Sequence, residues 1–206
     1  MVSGLFPLEI APCQDDCGLH FLSPSAKAQK NRDVTQKSNR YAMNDNVLIS
    51  TRERVRTLTI SRPEKKNAIT QDMYQAMADA IDDYTAESHV RAFVITGAGD
   101  YFTSGNDLKD FAVQGMPRPG EEFHNTPGVM SFLRAVSTCP KPLIAAVNGP
   151  GIGIGLTMLL HCDLVYAAES ASLSAPFTRL ALVPEAASSM LLSQSVGMAV
   201  ANDILL

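Results

Sequence analysis

Two short turns carry the residue types that could do chemistry. Phe102-Thr103-Ser104-Gly105-Asn106-Asp107-Leu108 and Asn148-Gly149-Pro150-Gly151-Ile152-Gly153-Ile154-Gly155 each follow an apolar run and lead into helical periodicity. The first N–H groups of a helix have no partner within it and lie at the positive end of its dipole. Such a turn can hold an anion, or an oxygen on its way to becoming one. The glycines at 149, 151, 153 and 155 do not make a dinucleotide fingerprint, because none falls three residues after a Gly-x-Gly pair. No Gly-Lys-Ser/Thr follows, so a phosphate loop is excluded as well. Taken alone, the second turn reads equally well as a tight strand-to-helix connection.

The elements that must position these turns can be read from periodicity. Val47–Ser50 and Val55–Ile60 alternate as strands do, with a turn at 52–54, and regular structure is expected from about Asn46. Arg62-Pro63-Glu64 breaks the second strand. Thr70 can cap a helix whose apolar stripe is Met73, Met77, Ala80, Ile81 and Tyr84. Arg91–Gly97 is a short buried strand, Asp107–Val113 a short helix, and Met116–Gly128 a loop. Val129–Ser137 is helical, and Lys141–Asn148 is a strand apolar enough to be buried on both faces. Leu156–His161 continues as helix, Leu164–Ala167 and Leu173–Ala175 as strands, and Ala186–Val196 as helix, with a last helix from Ala199. This alternation is α/β.

In order and interval, the segment Ser61–Ile69, the turn Phe102–Leu108, the run Lys141–Gly155 and the pair Cys162-Asp163 resemble the crotonase superfamily of enoyl-CoA hydratases and isomerases. The resemblance covers about residues 46–206 and implies a crotonase-like ββα spiral over 43–206. It also implies an acyl-CoA substrate whose thioester oxygen is held by two backbone N–H groups, here those of Asn106 and Ile154. Ile154 stands where many members have Gly, which a backbone donor tolerates. Lys66, Asn67, Ala68, Ser104, Gly105, Asp107, Leu108 and Gly153 fall in the segments that line the coenzyme A and acyl site. Lys65, Lys66 and Lys109 could meet phosphates, or be ordinary solvated charges. Coenzyme A is part of the substrate, and neither a separate cofactor nor a metal is implied.

The resemblance also narrows the reaction. Hydration in this family uses two glutamates, and their positions are occupied here by Thr157 and Phe177. Neither is a general base at neutral pH. Leu182-Val183-Pro184-Glu185-Ala186-Ala187-Ser188-Ser189 resembles instead the peroxisomal-type Δ3,Δ2-enoyl-CoA isomerases of fatty-acid β-oxidation, whose catalytic base falls on Glu185. The apolar neighbours Leu182, Val183, Ala186 and Met190 would raise the pKa of that carboxyl by burial. The plainer reading of Glu185 is a charge at the start of the helix at Ala186. A hydratase-like or thioesterase reaction on the same fold, or a non-catalytic protein, stays open beside the isomerase. Asp163 and His161 read as structural, Asp107 as a helix cap, and His124 has no role.

The 206 residues suffice for one domain, and a net charge of -4 with 46% hydrophobic residues gives no reason to expect nucleic acid or a membrane as partner. No apolar run approaches the ~20 residues of a membrane span. Residues 1–42, rich in Pro, Ser, Asn, Gln and Lys, read as a disordered or non-native extension. In that segment Cys13-x3-Cys17-x2-His20 does not match a standard zinc spacing. Four cysteines point to a reducing compartment. A bacterial cytoplasm is expected over a peroxisome or mitochondrion, since Asp203-Ile204-Leu205-Leu206 is not a peroxisomal address. The chain reads as ending inside an apolar helix, without the C-terminal helices of the family, and as a homotrimer or hexamer if the fold is complete.

Overall fold

The strand run of the N-terminal half follows from its alternation. The computed structural model describes residues 39–110 and 127–206, which all belong to one compact unit. Strands β1 (Asn39–Asn44), β2 (Val47–Arg52) and β3 (Val55–Ile60) form an antiparallel meander. Glu53 and Arg54, both at positive φ, make the tight β2–β3 turn whose twist suits paired strands. Regular structure therefore begins seven residues earlier than the alternation suggests, at Asn39 rather than Asn46. Backbone pairing to β2 carries β1, and a polar strand of this kind leaves little periodic signal.

From β3 onward the sheet is parallel: β4 (Ala92–Gly97), β5 (Leu143–Val147) and β7 (Leu164–Ala167) complete the order β1-β2-β3-β4-β5-β7. Two helices cross over between parallel strands. α1 (Gln71–Ala86) begins at Thr70, whose side chain accepts from the N–H of Met73 at 3.3 Å. α2 (Pro127–Thr138) packs against it. Register aligns Ile49, Leu58, Ile95 and Ala145 in one row across the sheet. All four are buried against Met73, Met77, Ile81 and Tyr84 of α1 and Phe132 of α2.

β5 is buried on one face only: Leu143, Ala145 and Val147 are covered, while Ile144 and Ala146 are half-buried. An unbroken apolar run does not by itself report two covered faces, because α1 and α2 cover one. The C-terminal part holds a two-stranded parallel pair, β6 (Gly151–Ile152) with β8 (Leu173–Ser174). It also holds the one-turn helix α3 (Ile154–Thr157), a 3-10 segment (Met158–His161), and helices α4 (Ser188–Val196) and α5 (Met198–Leu205). A second cluster of Leu156, Ala175, Phe177, Leu192, Ala201 and Leu205 ties these together. The 13–20 cysteine/histidine group, the greater part of the 116–128 loop, and His124 lie outside the described residues.

Candidate active site

Three loops leave the carboxyl ends of β3, β4 and β5, where open parallel sheets place their ligands. Two asparagine amides, one buried and one half-buried, fix them to one another. Asn67 is fully buried and at φ 57. Its amide donates to the carbonyls of Ala98 (2.8 Å) and Tyr101 (2.6 Å), and its oxygen accepts from the N–H of Arg62 (2.9 Å). Asn148 clamps the same turn from the β5 side, accepting from the N–H of Gly97 and donating to the carbonyl of Gly99.

The two candidate N–H donors sit on turns stitched edge to edge. The N–H of Ile69 donates to the carbonyl of Gly105, and the N–H of Asp107 to the carbonyl of Ile69, each at 2.9 Å. This pairing makes Ile69 and Asn106 neighbours in a parallel bridge, so the N–H of Asn106 faces away from Ile69. The second turn lies alongside the first: Thr103 bonds through both its N–H and its carbonyl to residues 150 and 152. Gly105, at φ +94, leaves room for the Ile152 carbonyl, which a Cβ would meet at 2.9 Å. Gly153, at φ 59 and ψ -115, takes the chain from β6 into α3 through a conformation that side chains disfavour. Among the described residues no backbone acceptor takes the N–H of Asn106 or of Ile154.

The side chain of Asn106 is held as well. The Tyr74 phenol, buried on α1, donates to Asn106 Oδ1. Asp107 accepts from Arg62 at 2.7 Å and from the N–H groups of Lys109 and Asp110. The Arg62 hydrogen bond holds the Asp107 carboxyl below its usual range, helped by those two backbone bonds. Asp107 thus caps the helical turn at 108–110, as its position suggests, and is also ion-paired.

Glu185 lies half-buried ahead of α4. Burial alone pushes its carboxyl above the usual range, and its charge in turn raises Tyr74, whose own burial is the larger cause. Among the described residues Glu185 forms no ion pair. Two expectations for this segment need correction. The helix starts at Ser188, not Ala186, because Ala186 and Ala187 are left-handed (φ 53 and 54). Val183 and Met190 are exposed, at 83% and 54%, so they do not supply the burial; Leu182 and Ala186 pack inward. His161 Nε2 is 3.0 Å from the Ala186 carbonyl and so braces this bend.

The remaining predicted residues divide between surface and interior. Leu108 is exposed, and Lys66 lies 5.2 Å from the ring centre of Tyr101. Ala68 gives its carbonyl to Arg62, and Ser104 gives its N–H to the carbonyl of Lys66. Asn67, expected along the coenzyme A segment, directs its side chain into the protein. Thr157 and Phe177 are both buried. The hydroxyls of Thr157 and Ser188 have no hydrogen-bond partner among the described residues. Sequence patterns do not single out Tyr74 or Arg62 as site residues. Tyr74 lies beside the apolar stripe of α1 and is not part of it, and the one available signal is that a buried phenol requires a partner.

Comparison with known proteins decides the family. The sequence model of the enoyl-CoA hydratase/isomerase family matches residues 50–206. The chain belongs to that family. It is 40% identical over 164 residues to enoyl-CoA delta isomerase 2 of Rattus norvegicus, covering 78% of this chain and 41% of that one. It is 37% identical over 144 residues to enoyl-CoA hydratase ACTT3 of Alternaria alternata, covering 69% and 47%. A crystal structure of an enoyl-CoA hydratase/isomerase from Pseudoalteromonas atlantica T6c is similar with a TM-score of 0.71 and 49% identity, over 78% of this chain and 61% of that one. The fold is therefore the α/β crotonase fold, and the chain spans less than two thirds of the length of these relatives.

Proposed function

We propose that this chain is a Δ3,Δ2-enoyl-CoA isomerase with Glu185 as its single acid and base. The observation that carries the reading is the half-buried carboxyl of Glu185, without an ion pair among the described residues, on the same fold as two backbone N–H groups, of Asn106 and Ile154, that no backbone acceptor among these residues takes. Glu185 takes the proton from C2 of a 3-enoyl thioester. The C–H electron pair forms a C1–C2 double bond as the carbonyl pair moves onto the thioester oxygen, giving a dienolate that re-forms the carbonyl and the C2–C3 double bond when its C3–C4 pair takes up a proton at C4. The N–H groups of Asn106 and Ile154 stabilise that oxygen. The protonated Glu185 then returns the proton to C4, and the product is the 2-enoyl thioester. No water is consumed, which accords with Thr157 and Phe177 at the positions of the hydratase glutamates.

A carboxyl raised by burial suits both halves of this cycle, since it accepts and gives up a proton with little cost at neutral pH. The segments around Lys66–Ala68 and Ser104–Leu108 are proposed to run along the coenzyme A moiety. Glu185→Gln is expected to lower the isomerisation rate of a 3-enoyl-CoA by about 10²–10⁴-fold while leaving coenzyme A affinity unchanged. Retention of double-bond migration by this variant would exclude Glu185 as the base. Hydration of a 2-enoyl-CoA by the unaltered protein, faster than migration, would favour the hydratase reading that similarity to the Alternaria enzyme supports.

A further inference from the structure

We infer that Tyr74 is a positioning residue for the thioester oxygen, fixing the Asn106 donor through its side chain from the buried face of α1. The inference rests on reading Asn106 as an oxyanion donor, and not on isomerisation as the reaction. Asn106 lies on a turn between β4 and the helical turn at 108–110, outside the main sheet. Ile69 grips the backbone on either side of it, at Gly105 and Asp107. Five residues later in the same segment, Tyr74 grips its side chain. Between them Gln71 donates its N–H to Asp110 at 2.7 Å. One helix start therefore holds the turn at three points, and Tyr74 is the point that touches the donor residue itself.

The phenol is suited to this work. It is 1% exposed and its ring lies 5.5 Å from that of Phe132, so it cannot swing out to water. A buried hydroxyl without a partner is costly, which favours the bonded geometry over any other orientation of Asn106. Burial first, and the Glu185 charge after it, keep the phenol protonated, and hence a donor. Phe at this position would keep the ring against Phe132 and remove only the bond to Asn106. The donor N–H would then move by fractions of an ångström, which matters more for a developing charge than for ground-state binding.

Acetoacetyl-CoA, whose enolate is seen by its ultraviolet absorbance, tests this without requiring turnover. Tyr74→Phe is expected to lower the bound enolate fraction and to cut kcat by about tenfold, with KM and coenzyme A affinity held within about twofold. Asn106→Ala should cause a similar loss, and the double variant no further loss, because the two side chains act as one unit. Unchanged enolate absorbance in Tyr74→Phe, or losses that multiply in the double variant, would overturn the inference. So would an unaltered protein that binds acetoacetyl-CoA with no enolate at all. If the unaltered protein holds the enolate but moves no double bond, the isomerase reading fails and the role of Tyr74 stands.

Discussion

Glu185 and Asp107 are shifted in opposite directions, and the signs make separate demands on stability and rate. Glu185 is raised by burial. Its protonated form is the one the fold favours, so its contribution is present at low pH and is lost as pH rises through its folded value. Glu185→Gln should therefore unfold at a higher temperature than the unaltered protein at neutral pH, and the difference should close on acidification, as followed by thermal unfolding across pH. Asp107 is lowered, first by Arg62. Its contribution is present above the ordinary carboxylate range and is lost as pH falls through the lower folded value. Asp107→Asn should be less stable at neutral pH and match the unaltered protein only in strong acid. For rate, ionised Glu185 is the competent form. The rise of kcat/KM with pH should have its midpoint above the usual carboxylate range, and a midpoint within that range would argue against burial of the base.

At the scale of elements, the site depends on loops joined by single backbone bridges and braced by side chains, outside the main sheet. Asn67 shows this best. Its amide serves the Ala98 and Tyr101 carbonyls in a place with no solvent. Asn67→Ala would leave those carbonyls without a donor and a left-handed alanine in place, a cost of about 2–4 kcal/mol in urea unfolding. Asn67→Asp should cost more, because a carboxylate would face the same carbonyls. The sequence made the elements legible where burial imposes a period, as in β3, β4 and the Thr70-capped α1. It also marked the glycine turns, since Gly105 and Gly153 are needed by their backbone angles. It did not show that Asn67 points inward, that Arg62 reaches Asp107, or that Tyr74 reaches Asn106. Each of those contacts joins residues at least 30 positions apart, and no local pattern specifies which loop a polar tip will meet. The segment after Glu185 misled for a related reason: Ala186 and Ala187 are good helix formers, yet both are left-handed, so tertiary context overrides propensity there.

Across the whole described unit, the proposed donors rest on the larger core and the proposed base on the seam between the two cores. Asn106, Ile69 and Tyr74 belong to the part organised by the large cluster of sheet, α1 and α2. Glu185 sits between that cluster, against which Ala186 packs, and the smaller one, against which Leu182 packs. The smaller cluster has few members, and α4 and α5 together bury only Ser188, Leu192, Ala201 and Leu205. Segments with little buried apolar surface open at lower free energy than the core they lean on. Phe177, 5% exposed, is the largest side chain in that cluster. Phe177→Ala removes it, at a cost of about 3–5 kcal/mol by comparison with other buried phenylalanines. That cost should fall on the smaller unit: amide exchange should quicken over 188–205 while β3, β4 and β5 keep their protection. Isomerisation should fall with it, because the bend that carries Glu185 loses one of its two supports, whereas the enolate of bound acetoacetyl-CoA should persist, since its donors lie on the other side. Leu58→Ala, in the central row of the sheet, should instead quicken exchange everywhere together. Uniform loss of protection in both variants would mean that the two clusters unfold as one, and that the geometry between base and donors is as stable as the sheet itself.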